Sequence, residues 1–295
     1  MITKNKSSLL PIISCLIAAT LWGVFWYPLR VLEGMGVPGL WATLIIYLSA
    51  FIPMWPLFWK QRNGLRSQRW LFVLIGIFAG WTNLAFILAI LEGHVVRVLL
   101  LFYLAPIWTL VLGFIFLQER LSNMAWCSLF LSFIGAFVIL WPSDSGSFLP
   151  FSRVDLLAVS AGFAFAVHNV LVRKIGDIPI ILKMGSAWIG VIALTMLCLA
   201  TLPVPLPEFS GSSLALAIFI GCIGMSLMTY TAQYGVTHLP VHRSASIMLF
   251  EVFVGAVSAA LLAEEVLTAR ELMGGLLIMF AAWLTTRDLM KNRST

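Results

Sequence analysis

One acid stands where a membrane-soluble chain can least accommodate it. Glu251 lies eight residues after Arg243, inside an apolar run. At about 1.5 Å of helix rise per residue it sits some 12 Å along a helix that starts there, close to the middle of a bilayer. An ionisable group at that depth costs roughly 2.5–3.5 kcal/mol to insert, so it needs a partner or a use. Ser244, Met248, Glu251, Gly255 and Ser258 recur at helical spacing and give this run one polar, small-residue face. Three roles fit such a carboxyl: holding a cationic group, exchanging a proton, or remaining protonated and hydrogen bonded to a neighbouring helix.

Other polar residues sit at similar depth. His168 and Asn169 fall near the middle of an apolar run; His168 reads either as a proton relay or ligand donor, or as a satisfied core histidine. Ser226, Thr229, Tyr230, Gln233 and Thr237 share roughly one face of another run, and Asn83 follows the pair Gly76 and Gly80. That GxxxG spacing reads first as close helix packing. Trp22 and Trp26 are four apart and share a face that could wall an aromatic or cationic ligand, while Tyr27 suits an interfacial anchor. Tyr103 precedes Pro106, which cannot donate a backbone hydrogen bond and crowds the Phe102 carbonyl. The expected kink belongs either to a helix that borders a cavity and bends, or to ordinary packing. Arg97 and Arg243 stand at run ends. They could steer anions, close gates against Glu92 or another acid, or snorkel to the interface.

The elements that must position these groups follow from composition. The 295 residues are 61% hydrophobic and 10% charged, with mean hydropathy +1.02, whereas soluble domains carry about 25% charged residues. The chain reads as an all-α integral membrane protein. Its basic residues occupy short loops without forming a basic face, which argues against nucleic acid binding. Cys15, Cys127, Cys198 and Cys222 lie in apolar runs without CxxC spacing, so neither metal nor redox cofactor is expected. Apolar runs near 9–28, 38–59, 70–91, 95–117, 122–141, 154–172, 180–202, 212–236, 244–263 and 270–287 give ten expected spans. The first reads as a retained helix rather than a removed signal peptide. With the N-terminus cytoplasmic, Arg30, Arg97, Arg153 and Arg270 are the basic residues outside, and the other fourteen of the 18 lie inside. Both termini are therefore expected in the cytoplasm, and the chain in the plasma (inner) membrane of a bacterium.

A shift of 146 residues lays the second half on the first. Arg97 meets Arg243, Glu119 meets Glu265 and Leu121 meets Leu267 without a gap. Five spans in each half is an odd number, so the halves must have opposite orientation. That is the inverted repeat of secondary transporters, with a substrate site near the midplane.

Trp22-Gly23 in the first span, Ala105-Pro106 in the fourth and Glu119 thirteen residues later, with Glu251 and Glu265 in the second half, resemble the EamA-type family of the drug/metabolite transporter superfamily. The chain departs from that pattern at Val252, where the family often has proline. The resemblance implies two repeats, 1–145 and 146–295, with a cavity lined by spans one, three, four, six, eight and nine. The polar residues Trp22, Trp26, Asn83, Tyr103, His168, Asn169, Tyr230, Gln233 and Glu251 fall on those spans. It also implies a secondary transporter, an exporter by first expectation, of a small metabolite such as an amino acid. Protons are the candidate coupling ion through Glu251. Multidrug or lipophilic-cation efflux is the alternative, and a passive channel stays open. An enzyme acting on lipid is disfavoured: no HExxH, GxSxG or paired aspartate cluster is present, and the lack of a P-loop excludes ATP-driven transport by this chain alone. The sequence assigns no oligomeric state.

Overall fold

A computed structural model of the chain describes residues 9–117, 123–140, 152–175, 178–238, 247–248, 250–263 and 268–291. The described residues form helices and connections, with no strand among them. A backbone in lipid must satisfy its polar groups within its own segment, and a helix does so.

The first half contains α1 (Leu9–Val24), α2 (Trp26–Gly34), α3 (Gly39–Gln61), a 3-10 turn (Arg62–Gln68), α4 (Arg69–Glu92), α5 (Val95–Phe102), α6 (Ala105–Leu117) and α7 (Asn123–Leu140). The second contains α8 (Arg153–Ile175), α9 (Ile180–Thr201), α10 (Gly211–Phe219), a π-helical turn (Ile220–Met225), α11 (Ser226–His238), α12 (Phe250–Leu262) and α13 (Ala269–Lys291). Helices thus occupy the expected apolar segments. Six stretches are long and apolar enough to cross a membrane: Leu9–Gly34, Gly39–Arg66, Arg69–Glu92, Arg153–Val172, Ile180–Thr201 and Gly211–Gly235. Phe250–Leu262 and Leu272–Ala281 are shorter apolar helices.

The first span runs past its expected end at residue 28 to Gly34. Arg30, which ends the apolar run, is partly buried against the end of α4. Its guanidinium donates to the carbonyls of Gly93 at 2.6 Å and Ile90 at 3.2 Å, and stands 5.2 Å from the Trp26 ring. The same span is interrupted at Phe25, whose N–H donates to Trp22 O at 3.2 Å. Pro28 in the next turn has no N–H to continue the ladder.

The helices pack in a definite set of pairs. α4 lies against α8 and α9, α1 against α11 and α12, and α3 against α9 and the π turn. α5 and α6 both touch α8, α5 also touches α12, and α7 packs against α13. Glycine sets the closest crossings. A Cβ on Gly190 of α9 would collide with the Gly76 backbone of α4, and one on Gly80 would stand 2.7 Å from Gly190 O. The GxxxG of α4 is therefore used within the chain, against α9. Trp26, Leu29, Leu32, Ile46, Tyr47, Leu99 and Leu101 fill the interior. Trp126, Phe130, Phe133 and Phe137 of α7 are all more than half exposed, an arrangement whose solvent is hydrocarbon.

Candidate functional site

The site begins at a broken helix. α5 stops at Phe102 and α6 starts at Ala105, immediately before Pro106. Without an N–H at Pro106 the ladder cannot continue. Leu104 N instead donates to Leu101 O at 3.2 Å, and Ile107 N to Leu104 O at 3.0 Å. The Phe102 carbonyl packs on Gly162 of α8, where a Cβ would stand 2.6 Å from that oxygen.

The break presents Tyr103 to α12. Its hydroxyl lies 2.7 Å from Glu251 Oε2 and 3.1 Å from Met248 O. One phenolic proton serves two acceptors, so the hydroxyl can give it fully to only one of them. Glu251 is in the first turn of α12 and is 7% exposed. Gly23 of α1 brings a third helix close, since a Cβ there would be 2.8 Å from Glu251 O. Two turns further along α12 the same seam is closed by Trp26 Nε1, which donates to Ser258 Oγ at 2.9 Å, and Ser258 Oγ lies 3.0 Å from Gly255 O within α12. The carboxyl of Glu251 is thus enclosed where α1, α5 and α12 meet, with a proton donor aimed at it.

The other expected residues are distributed differently. Trp26 is 2% exposed and serves the core through its ring and Ser258 through its N–H. Trp22 is partly buried, edge-on to Phe25 at 5.5 Å. Asn83 accepts from the Tyr47 hydroxyl and donates to Ala79 O at 2.8 Å, tying α4 to α3. His168 is partly buried beside the Ile75 backbone, and its Nδ1 is buried without a hydrogen-bond partner in the described structure. Asn169 and Gln233 are partly buried. Tyr230 is 60% exposed and stacks on Tyr234 at 6.2 Å. Arg243, Ser244, Glu119 and Glu265 lie outside the described residues, as does the side chain of Pro106.

Arg97 has a carboxylate that sequence reading did not single out. Its Nε and Nη2 donate to Asp155 Oδ1 and Oδ2 at 2.7 and 3.0 Å. Asp155 is 1% exposed and also accepts from Ser152 N at 3.1 Å, while its own N–H donates to Ser152 Oγ at 3.1 Å. The Ser152-x-x-Asp155 spacing is a capping-box signature and was the available signal. Glu92 instead lies 3.7 Å from Arg153, and both are well exposed. Among the described residues no three His, Cys, Asp or Glu side chains gather as a metal site would require.

Residues 9–141 match the EamA-like transporter family. The apolar helices make this a multi-pass membrane protein, and over its first half it is similar to EamA-like transporters. Among curated relatives, Protein RarD of Escherichia coli is 33% identical over 103 residues, 35% of this chain and 31% of RarD. The "Riboflavin transporter" of Vibrio cholerae is 24% identical over 68% of this chain and 65% of its own length. The "Probable amino-acid metabolite efflux pump" of Salmonella typhimurium is 24% identical over 63% of this chain and 66% of its own. The match spans only about a third of RarD. A crystal structure shares the fold with TM-score 0.63 over 96% of this chain and 98% of that one, at 17% identity.

Proposed function

We propose that the protein is a secondary transporter that moves a small metabolite, outward by preference, through alternating access of two inverted five-helix repeats, 1–145 and 146–295. The observation that carries this reading is the buried Tyr103–Glu251 contact between the halves, at the break in the fourth expected span. Discontinuous helices bordering a central site are what transporters use to bind and release cargo.

The packing pairs favour the repeat. A shift of 146 residues carries α1 onto α8, α3 onto α9, α4 onto the α10–α11 segment and α6 onto α12. Three cross-half pairs then have counterparts: α4 on α8 answers α11 on α1, α4 on α9 answers the π turn on α3, and α6 on α8 answers α12 on α1. Ten crossings and cytoplasmic termini in a bacterial inner membrane belong to the same proposal.

Glu251 is the coupling residue: it binds and releases a proton as its enclosure by α1, α5 and α12 opens and closes. The efflux-pump relative favours an amino acid or related metabolite, and the riboflavin-transporter relative puts a flavin second. Counterflow in proteoliposomes loaded with amino acids and riboflavin tests both. Saturable exchange of one compound supports a carrier; flux without counterflow would indicate a channel.

A further inference from the structure

The turn between α3 and α4 is chemically unlike the rest of the surface. From Lys60 to Leu71 the chain reads KQRNGLRSQRWL, with four basic residues and no acid. Among the described residues none of these four is paired with a carboxylate. The turn is seated against α9 through Gly64, where a Cβ would stand 2.8 Å from Leu182 Cδ1. Two of its guanidinium groups rest over indoles. Arg62 lies 4.0 Å from the Trp59 ring centre and donates to Trp59 O at 2.9 Å, and Arg69 lies 5.5 Å from the Trp70 ring. Trp59 and Trp70 are 49% and 68% exposed. Arg66, Gln68, Arg69, Trp70 and Leu71 line an open depression of about 390 Å³. The side-chain oxygen of Gln68 is buried and has no hydrogen-bond partner.

Exposed indoles stand at headgroup depth, and unpaired basic residues there attract anionic lipid. A guanidinium forks onto phosphate oxygens more specifically than a point charge does. A cation already resting on a ring loses little freedom when a phosphate arrives. We propose that the α3–α4 turn is a binding site for the phosphodiester headgroup of an anionic phospholipid. Arg66 and Arg69 take the phosphate, and Trp59 and Trp70 flank the lipid at the interface.

The test uses the full chain in lipid nanodiscs and in detergent, with phosphatidylglycerol and phosphatidylcholine of identical acyl chains. Native mass spectrometry should show phosphatidylglycerol retained in preference to phosphatidylcholine. The Arg66→Gln/Arg69→Gln double variant should bind it about tenfold more weakly or worse, while Arg153→Gln, on a different loop, leaves binding unchanged. On the wild-type protein, amide exchange over residues 60–71 should slow with phosphatidylglycerol and not with phosphatidylcholine. Equal retention of the two lipids by the wild type overturns the proposal. So does undiminished binding by the double variant, or identical exchange over 60–71 in both lipids.

Discussion

Tyr103 and Glu251 are 148 residues apart in the chain and hydrogen bonded at 2.7 Å. The contact joins the interrupted helix of one half to the first turn of α12 in the other. A transporter that rocks one half against the other needs contacts at that seam that can be made and broken, and a hydroxyl–carboxyl pair is one.

Tyr103→Phe keeps the ring and removes the donor. It should lower stability by about 1 kcal/mol, the net worth of one hydrogen bond, and slow transport severalfold or more. Counterflow together with thermal unfolding in detergent separates the two effects. A wild-type rate would make the contact incidental to the cycle.

The Arg97–Asp155 pair is expected to be structural in its first effect. Asp155→Ala removes the N3 half of a capping box, keeps the Ser152 cap, and leaves a partly buried guanidinium without its carboxylate, for a total loss of about 2–4 kcal/mol. Asp155→Asn keeps an acceptor for Ser152 N and should cost less. Unfolding midpoints of the two variants and of Arg97→Gln decide it, and equal losses from Ala and Asn would remove the charge from the account.

The α4–α9 crossing should tolerate no side chain at Gly190, because a Cβ there meets the Gly76 backbone rather than a movable side chain. Gly190→Ala should destabilise by about 1–3 kcal/mol or abolish folding. Gly34→Ala meets nothing within 4 Å and should be neutral or slightly stabilising. Yield and melting temperature in detergent compare them directly.

Trp26→Phe and Ser258→Ala each delete the same hydrogen bond. Each should cost about 1 kcal/mol, and the double variant should cost little more than either alone. If Trp26 is the core residue its burial indicates, substrate half-saturation in counterflow stays unchanged in Trp26→Phe. A large shift there would restore it as part of the ligand wall.

Much of the architecture was legible in the residues because hydrocarbon admits little but apolar helices. The runs at 39–61, 69–92 and 180–201 could be bounded to within a residue or two, and the GxxxG of α4 announced its close crossing. The position of Tyr103 beside Pro106, and the depth of Glu251, pointed to the two groups that meet. Other features depend on partners far along the chain. The π turn at Ile220–Met225 forms where Gly221 packs on the Ile46 carbonyl and Cys222 Sγ donates to Ser49 O at 3.1 Å, and no local pattern carries that. Arg30 looked like a span boundary, yet its guanidinium is tied to carbonyls of α4 and the turn after it. Trp26 shared a face with Trp22 in the sequence, but only the packing of α12 shows that its N–H is taken by Ser258. The Ser152-x-x-Asp155 spacing passed unremarked in the sequence, and that Asp155 would take Arg97 depended on the docking of α5 against α8.

Proton coupling through Glu251 is tested by counterflow and pH-gradient-driven uptake for the wild type and Glu251→Gln, at matched protein density in the same liposomes. Glutamine keeps the shape and can accept from Tyr103, but it cannot exchange a proton. If Glu251 carries the coupling proton, Glu251→Gln still exchanges substrate for substrate and no longer responds to the pH gradient. A variant that follows the gradient as the wild type does would contradict it.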